Sequence, residues 1–308
     1  MTRGFCTIAT GDVKYSKLAY NLLMSYKIFT KKNYPFSVIT DSKNEFLKDF
    51  DDVILVKDTE QTYLDKLSLF KLCPYDETIF IDADSLAYGD LCEIFKYFSE
   101  ADDVSCIGEV FQEDAICGWF RKEDVGKYKE DIDYTIWMHG GIYFIRKTPR
   151  LSAFYDTCVD IAQNYKKYFF RFKYLIEPAD EPIIALAMAI HKFKPIKGAP
   201  EIMAFYRDSK IKKIDIISGK LAYTVKLGST ENGLLIHWAT ANTTRALYCS
   251  EVKKLKWIIK KQAGKKNSLI EFFAKYNVYY YIFSLKDCKD DIQCFFRKAM
   301  RKSNGRKK

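Results

Sequence analysis

Short runs of consecutive apolar residues alternate with stretches of helical period through the opening of the chain. Gly4 to Thr10 reads as a buried strand, and Phe36 to Thr40 and Val53 to Val56 read as two more. Between the first two, Tyr15 to Phe29 sets Leu18, Leu22, Leu23 and Tyr26 at helical spacing. A helix over about Tyr63 to Leu72 leads through Pro74-Tyr75-Asp76 into Thr78-Ile-Phe-Ile81, an apolar strand that ends on Asp82. Strand and helix in alternation predict a parallel sheet, in which ligands gather at the carboxyl ends of the strands. Thr10-Gly11-Asp12 and Asp82-Ala83-Asp84 fall at such ends.

Past about residue 100 the order is less regular. Strands are expected near Val104 to Ile107, Gly141 to Ile145, Ile216 to Val225 and Leu234 to Trp238, with helices near Pro149 to Asn164 and Asp180 to Ile190. These continue the first half as a mixed sheet. With no break in composition, residues 1–248 read as one α/β domain. Residues 249–308 read as a basic, aromatic-rich helical appendage, with helices over Glu251 to Lys261, Leu269 to Phe283 and Asp287 to Met300 and a tail from Arg301.

Composition bounds the function. The chain has 308 residues, 48% hydrophobic and 29% charged, which suits a globular protein with a sizeable core. No stretch reaches the roughly 18 apolar residues of a membrane span. The opening Met1-Thr-Arg-Gly-Phe-Cys-Thr-Ile-Ala-Thr10 runs into polar Gly11-Asp12 with no signal-peptide pattern, so a cytoplasmic location is expected. Nine cysteines, none in a C-x-x-C pair, are scattered through apolar segments as reduced core thiols are. The net charge of +10 is unevenly placed: residues 1–250 balance at −2 and residues 251–308 at +12. No recognisable nucleic-acid-binding module accompanies that charge, and no nucleic acid is expected as partner.

Three Asp-x-Asp pairs occur: Asp49/Asp51, Asp82/Asp84 and Asp131/Asp133. Asp49/Asp51 lies in a polar connection and reads as solvated surface. Asp82 ends a strand of four apolar residues, where unpaired carboxylates would be costly to desolvate and a cation is the natural partner. Two hard oxygen ligands suit Mg²⁺ or Mn²⁺. The competing explanation is an N-cap for a following helix.

Lys66-Leu67, Tyr75 through Leu86 with Asp82-Ala83-Asp84 at its heart, Asp90-Leu91 and Ile94-Phe95 resemble the GT-A nucleotide-sugar glycosyltransferases, most closely glycosyltransferase family 8, the group of glycogenin and the lipooligosaccharide galactosyltransferases. The similarity runs over about residues 4 to 240. The resemblance implies a GT-A, Rossmann-like mixed sheet flanked by helices. It also implies retaining transfer of a sugar from a nucleoside-diphosphate donor, a UDP-sugar by preference, to a glycan or lipid-linked acceptor. Asp82, Asp84 and His237 would hold Mn²⁺, with Mg²⁺ as the alternative, and the imidazole favours manganese. Thr7, Ala9, Thr10, Asp12 and Tyr15 would line the base and ribose pocket, and Lys66, Ala83, His139, Gly140 and Gly141 would stand near the diphosphate and sugar. Asp180 and Glu181 would lie at the anomeric carbon, in the positions where the family has Asp-Gln. Departures are the lack of the family's Gly and Lys-Pro after His237, where Arg245 is the substitute basic residue, and His139 in place of the family's Asn. A silent sugar-nucleotide or glycan-binding module, or a basic nucleic-acid-binding protein, are the competing functional classes. The appendage, with Trp257, Phe272, Phe273, Tyr279 to Tyr281, Phe283, Phe295 and Phe296 among its basic residues, is expected to dock on an anionic membrane surface.

Overall fold

Alternation along one strand divides the core. Ile79 and Ile81 point into one apolar cluster and Phe80 into another, because successive side chains leave a strand on opposite faces. In the computed structural model, residues 1–32, 34–57, 59, 62–112, 119–168, 178–197, 199–225, 228–265 and 267–289 are described.

The elements run β1 (Arg3–Ile8), α1 (Val13–Phe29), β2 (Phe36–Thr40), β3 (Asp52–Leu55), a 3₁₀ turn (Tyr63–Ser68) into α2 (Leu69–Leu72), β4 (Glu77–Ile81), β5 (Ser85–Ala87), α3 (Ile94–Tyr97), β6 (Val104–Gln112) and β7 (Tyr134–Arg146). Then come α4 (Arg150–Gln163), α5 (Tyr165–Tyr168), α6 (Asp180–Ile190), β8 (Met203–Phe205), β9 (Lys210–Asp215), β10 (Lys220–Val225), β11 (Gly228–Thr230), β12 (Leu235–His237), α7 (Ala246–Gln262) and α8 (Ser268–Lys275). Residues 278–289 are helical again.

The main sheet has the order β3-β2-β1-β4-β7-β6. β1 to β4 pair in parallel, while β7 lies antiparallel between β4 and β6. One face is covered by α1 through Leu18, Leu22 and Leu23, the other by α2, α4 and α6 through Phe70, Phe154 and Ile183 to Ala189. This central mixed sheet flanked by helices is the expected α/β architecture and is consistent with a GT-A-like fold. A second sheet, β5-β12-β8, is what carries His237 to the end of β4: β12 pairs antiparallel with β5 and parallel with β8.

Several local expectations change. The strand expected from Ile216 begins at Lys220, because residues 216–219 turn through Gly219 (φ +66°) and β9 pairs back against β10. The strand expected at Gly141 extends over 13 residues. The helix expected over Leu269 to Phe283 breaks at Asn277, whose φ of 56° ends α8, and restarts at 278. Asp287 to Met300 lies largely outside the described residues. The expected boundary at residue 248 falls within α7, where Tyr248, Val252 and Leu255 enter the same cluster as α1.

Cys6, Cys73, Cys106 and Cys158 are buried free thiols. No helix among the described residues is long and apolar enough to cross a membrane.

Candidate active and metal site

At the carboxyl end of β4 the chain turns through Asp82-Ala83-Asp84 directly into β5, so no helix follows for Asp84 to cap. The Asp82 amide donates to Gly141 O of β7 at 3.0 Å, and Asp84 O accepts from the Trp238 amide at 3.1 Å. These bonds fix both carboxylates by backbone. The register of β12 sets His237 opposite Ser85 of β5 and beside Phe205 of β8. Ligand atoms of Asp82, Asp84 and His237 all lie within 4.8 Å of one another.

The chemistry of this set fits a divalent cation. His237 Nε2 stands 3.0 Å from Asp84 Oδ1 and 3.4 Å from Asp82 Oδ2. Asp84 Oδ1 is buried and receives no aligned hydrogen bond, so an acceptor atom is aimed at the same space as the ring nitrogen. Thr240 Oγ1 donates to the other oxygen, Asp84 Oδ2, at 2.9 Å. The chain reaches that position by placing Ala239 at φ 54°, an uncommon conformation for a residue with a side chain. A ligand carboxylate held by an outer hydrogen bond is a familiar way of orienting a metal site.

Lys66 joins this group to the acidic pair on α6. Its Nζ donates to Asp82 at 3.0 Å, to Asp180 Oδ2 at 2.9 Å and to Gly140 O at 3.2 Å. Asp180 also accepts from Tyr143 OH at 3.3 Å, and Glu181 Oε1 accepts from the Gly140 amide at 2.6 Å. Both residues open α6, where the helix dipole favours negative charge. Glycine is required at both positions of the β7 pair. A Cβ at Gly140 would lie 2.8 Å from Asp180 Oδ2, and one at Gly141 would lie 2.8 Å from His237 Nδ1.

The electrostatics follow from packing four acids around one ammonium and one imidazole. Burial acts to lower Lys66, yet Asp180 and Asp82 outweigh it and hold the ammonium above its ordinary value. Burial raises Asp82 against the opposing pull of Lys66 and His237. For Asp84 burial also acts upward, but His237 and Thr240 hold the carboxyl below its ordinary value. Burial and then Asp180 push Glu181 up to about 7. His237, which burial would lower, is raised by Asp84 and Asp82. His139 is lowered to about 4 by burial, so its imidazole is neutral at pH 7.

The network therefore gathers Lys66, Asp82, Asp84, Gly140, Gly141, Asp180, Glu181 and His237. His139 lies beside it, with its ring stacked on Phe205 at 3.6 Å, and Phe205 meets His237 edge-on at 5.9 Å. The residues expected around the base and ribose lie on and just after β1, the strand that pairs in parallel with β4. Thr10 Oγ1 donates to Asp65 at 2.6 Å, Asp12 caps α1 through the Lys14 amide at 2.8 Å, and Tyr15 is half-buried beneath the Lys14 ammonium. Thr7, Ala9 and Ala83 are buried. Thr240 and Tyr143 were not singled out in the sequence: a hydroxyl three residues past His237 and a tyrosine inside an apolar strand carry no spacing signal of their own.

No family model matches the sequence, and no curated protein is significantly similar to it. Among solved structures, the chain is similar to the apo structure of the bifunctional glycosyltransferase WbbM, with 13% identity, a TM-score of 0.48 and a match over 80% of this chain. The match covers 48% of that protein, so it spans about half its length.

Proposed function

We propose that the protein is a metal-dependent glycosyltransferase that moves a sugar from a nucleoside-diphosphate donor to a glycan or lipid-linked acceptor. The observation that carries this reading is the convergence of Asp82, Asp84 and His237 at the carboxyl end of β4, tied through Lys66 to Asp180 and to Gly140, whose amide holds Glu181. Sequence resemblance to family 8 adds the preference for a UDP-sugar and for retention of configuration. Residues 1–248 would form the transfer unit together with α7, which shares their core, and the basic helical residues that follow would extend it.

The three ligands would hold Mn²⁺, or Mg²⁺ with lower preference because one ligand is imidazole. When bound, such an ion acts as a Lewis acid that offsets charge on the departing diphosphate. The chain's own residues do the remaining work. Lys66 holds Asp82 and Asp180 in place and supplies a fixed positive charge. Asp180 and Glu181, anchored by Tyr143 OH and the Gly140 amide, would face the sugar. Neutral His139 can donate or accept a hydrogen bond to a hydroxyl.

Calorimetric titration with UDP, with and without Mn²⁺, tests the reading. The wild type should bind UDP in a Mn²⁺-dependent manner. Asp84→Asn should lose at least tenfold in that affinity while its circular dichroism stays unchanged. Equal affinity with and without Mn²⁺, or an unaffected Asp84→Asn, would overturn it.

A further inference from the structure

Eleven large hydrophobic side chains are exposed among the described residues, and six of them fall between residues 269 and 285: Leu269, Phe272, Tyr276, Tyr281, Ile282 and Leu285. Leu269, Phe272 and Tyr276 are spaced three and four apart, so they share one side of α8 as it runs into its terminal turn. On the helix over 278–289, Tyr281 and Ile282 stand four and three residues before Leu285 and so share its side. Clustering of this kind marks an interaction surface rather than scattered surface hydrophobes.

The neighbouring helix behaves differently. α7 buries Val252, Leu255 and Trp257, so Trp257 belongs to the core and not to the surface expected from the sequence. Phe295 and Phe296 lie outside the described residues. The docking surface is thereby narrowed to the segment after Gly264.

We infer that this segment is a membrane-docking surface that inserts its aliphatic and aromatic side chains into the headgroup boundary of an anionic bilayer. Charge names the occupant. Lys265, Lys286 and Lys289 are exposed in the same segment. Of its carboxylates, Glu271 pairs with Lys275 at 2.7 Å and Asp287 accepts from the Ala246 amide at 2.8 Å. Residues 251–308 balance at +12 over the full sequence. Basic heads beside apolar stripes are the composition of interfacial helices, and each Lys or Arg near an anionic surface adds to the attraction. A second copy of the chain would set +12 against +12. A nucleic acid would engage the lysines and leave Ile282 and Leu285 uncovered.

Sedimentation of the full-length protein with vesicles tests the inference independently of any transfer activity. The probes are vesicles of phosphatidylcholine alone and of phosphatidylcholine mixed with phosphatidylglycerol, at low and high salt. The wild type should partition onto the anionic vesicles and leave them as salt screens the lysines. Leu285→Glu should weaken partition about tenfold, equivalent to about 1.4 kcal/mol. At 75% exposure that side chain holds no core together, and Ile282→Glu provides a second variant. Four results would overturn the inference: no sedimentation with anionic vesicles, equal binding to neutral ones, partition unchanged in both variants, or a loss in both of self-association instead of vesicle binding. Displacement by duplex DNA that is unaltered in both variants would assign the surface to nucleic acid and overturn it as well.

Discussion

Replacing Lys66 with Met removes the ammonium that bridges the largely enclosed Asp82 and the buried Asp180. Its Nζ lies 3.0 Å from Asp82 and 2.9 Å from Asp180, with 15% of the lysine side chain exposed. At an effective dielectric of about 20, each contact is a gross attraction of roughly 5 kcal/mol. Most of that is cancelled by desolvation, and removing one partner of a buried pair costs about 3–5 kcal/mol net. Lys66→Met should therefore lower unfolding free energy by about that amount in urea melts without metal at pH 7.5. Asp82 also belongs to the candidate metal group, so losing its ammonium partner would leave a stronger anion facing a bound ion. Saturating Mn²⁺ should then stabilise the variant more than the wild type and narrow the gap, by about 1.4 kcal/mol for a tenfold gain in Mn²⁺ affinity. A loss below about 1 kcal/mol would show that Lys66 is an ordinary surface lysine. A gap that Mn²⁺ does not change would break the link between Lys66 and the metal group.

How far the sequence disclosed the fold depended on how each segment meets solvent. β4 was legible because Thr78 to Ile81 is enclosed on both faces, and such a strand shows as an unbroken apolar run. β9, Lys-Ile-Lys-Lys-Ile-Asp, is largely exposed and its lysines masked the strand. β7 is longer than the expected strand at Gly141 to Ile145 because its first half, Tyr134 to Gly140, mixes half-buried Trp137 and His139 with a glycine and so shows no unbroken apolar run. Asp82-Ala83-Asp84 was the strongest signal in the candidate site, and its N-cap alternative falls because β5 follows at once. The residues around it, Lys66, Asp180 and Gly140, were legible only through the family resemblance: they meet when three elements converge, and no local pattern records that.

Two further outcomes test the electrostatics. Glu181 has its pKa raised from an ordinary 4.5 to about 7, so its contribution to stability is full below 4.5 and is lost as pH rises through about 7. Glu181→Gln keeps an oxygen for the Gly140 amide; it should match the wild type near pH 5 and exceed it at pH 8 by more than about 1.4 kcal/mol, the worth of one pKa unit, and parallel melting profiles across that range would refute the assignment. Glu251 anchors α7 by a buried bridge: at 1% exposure its Oε2 accepts from Tyr88 OH at 3.0 Å and from the Ile216 amide at 2.7 Å, and its Oε1 pairs with Lys254 at 2.8 Å. Lys254 in turn reaches Asp215 at 3.1 Å, so the pair fastens α7 to the β9–β10 turn and to the residue after β5, the strand that registers His237. Glu251→Gln leaves the Lys254 ammonium short of a counter-charge in the core and should cost about 3–5 kcal/mol. Because Lys254→Met removes the ammonium that Asp215 alone would then neutralise, the double variant should be more stable than the sum of the two losses implies by at least about 1 kcal/mol. Strict additivity in urea melts would mean that the two groups do not act as a pair.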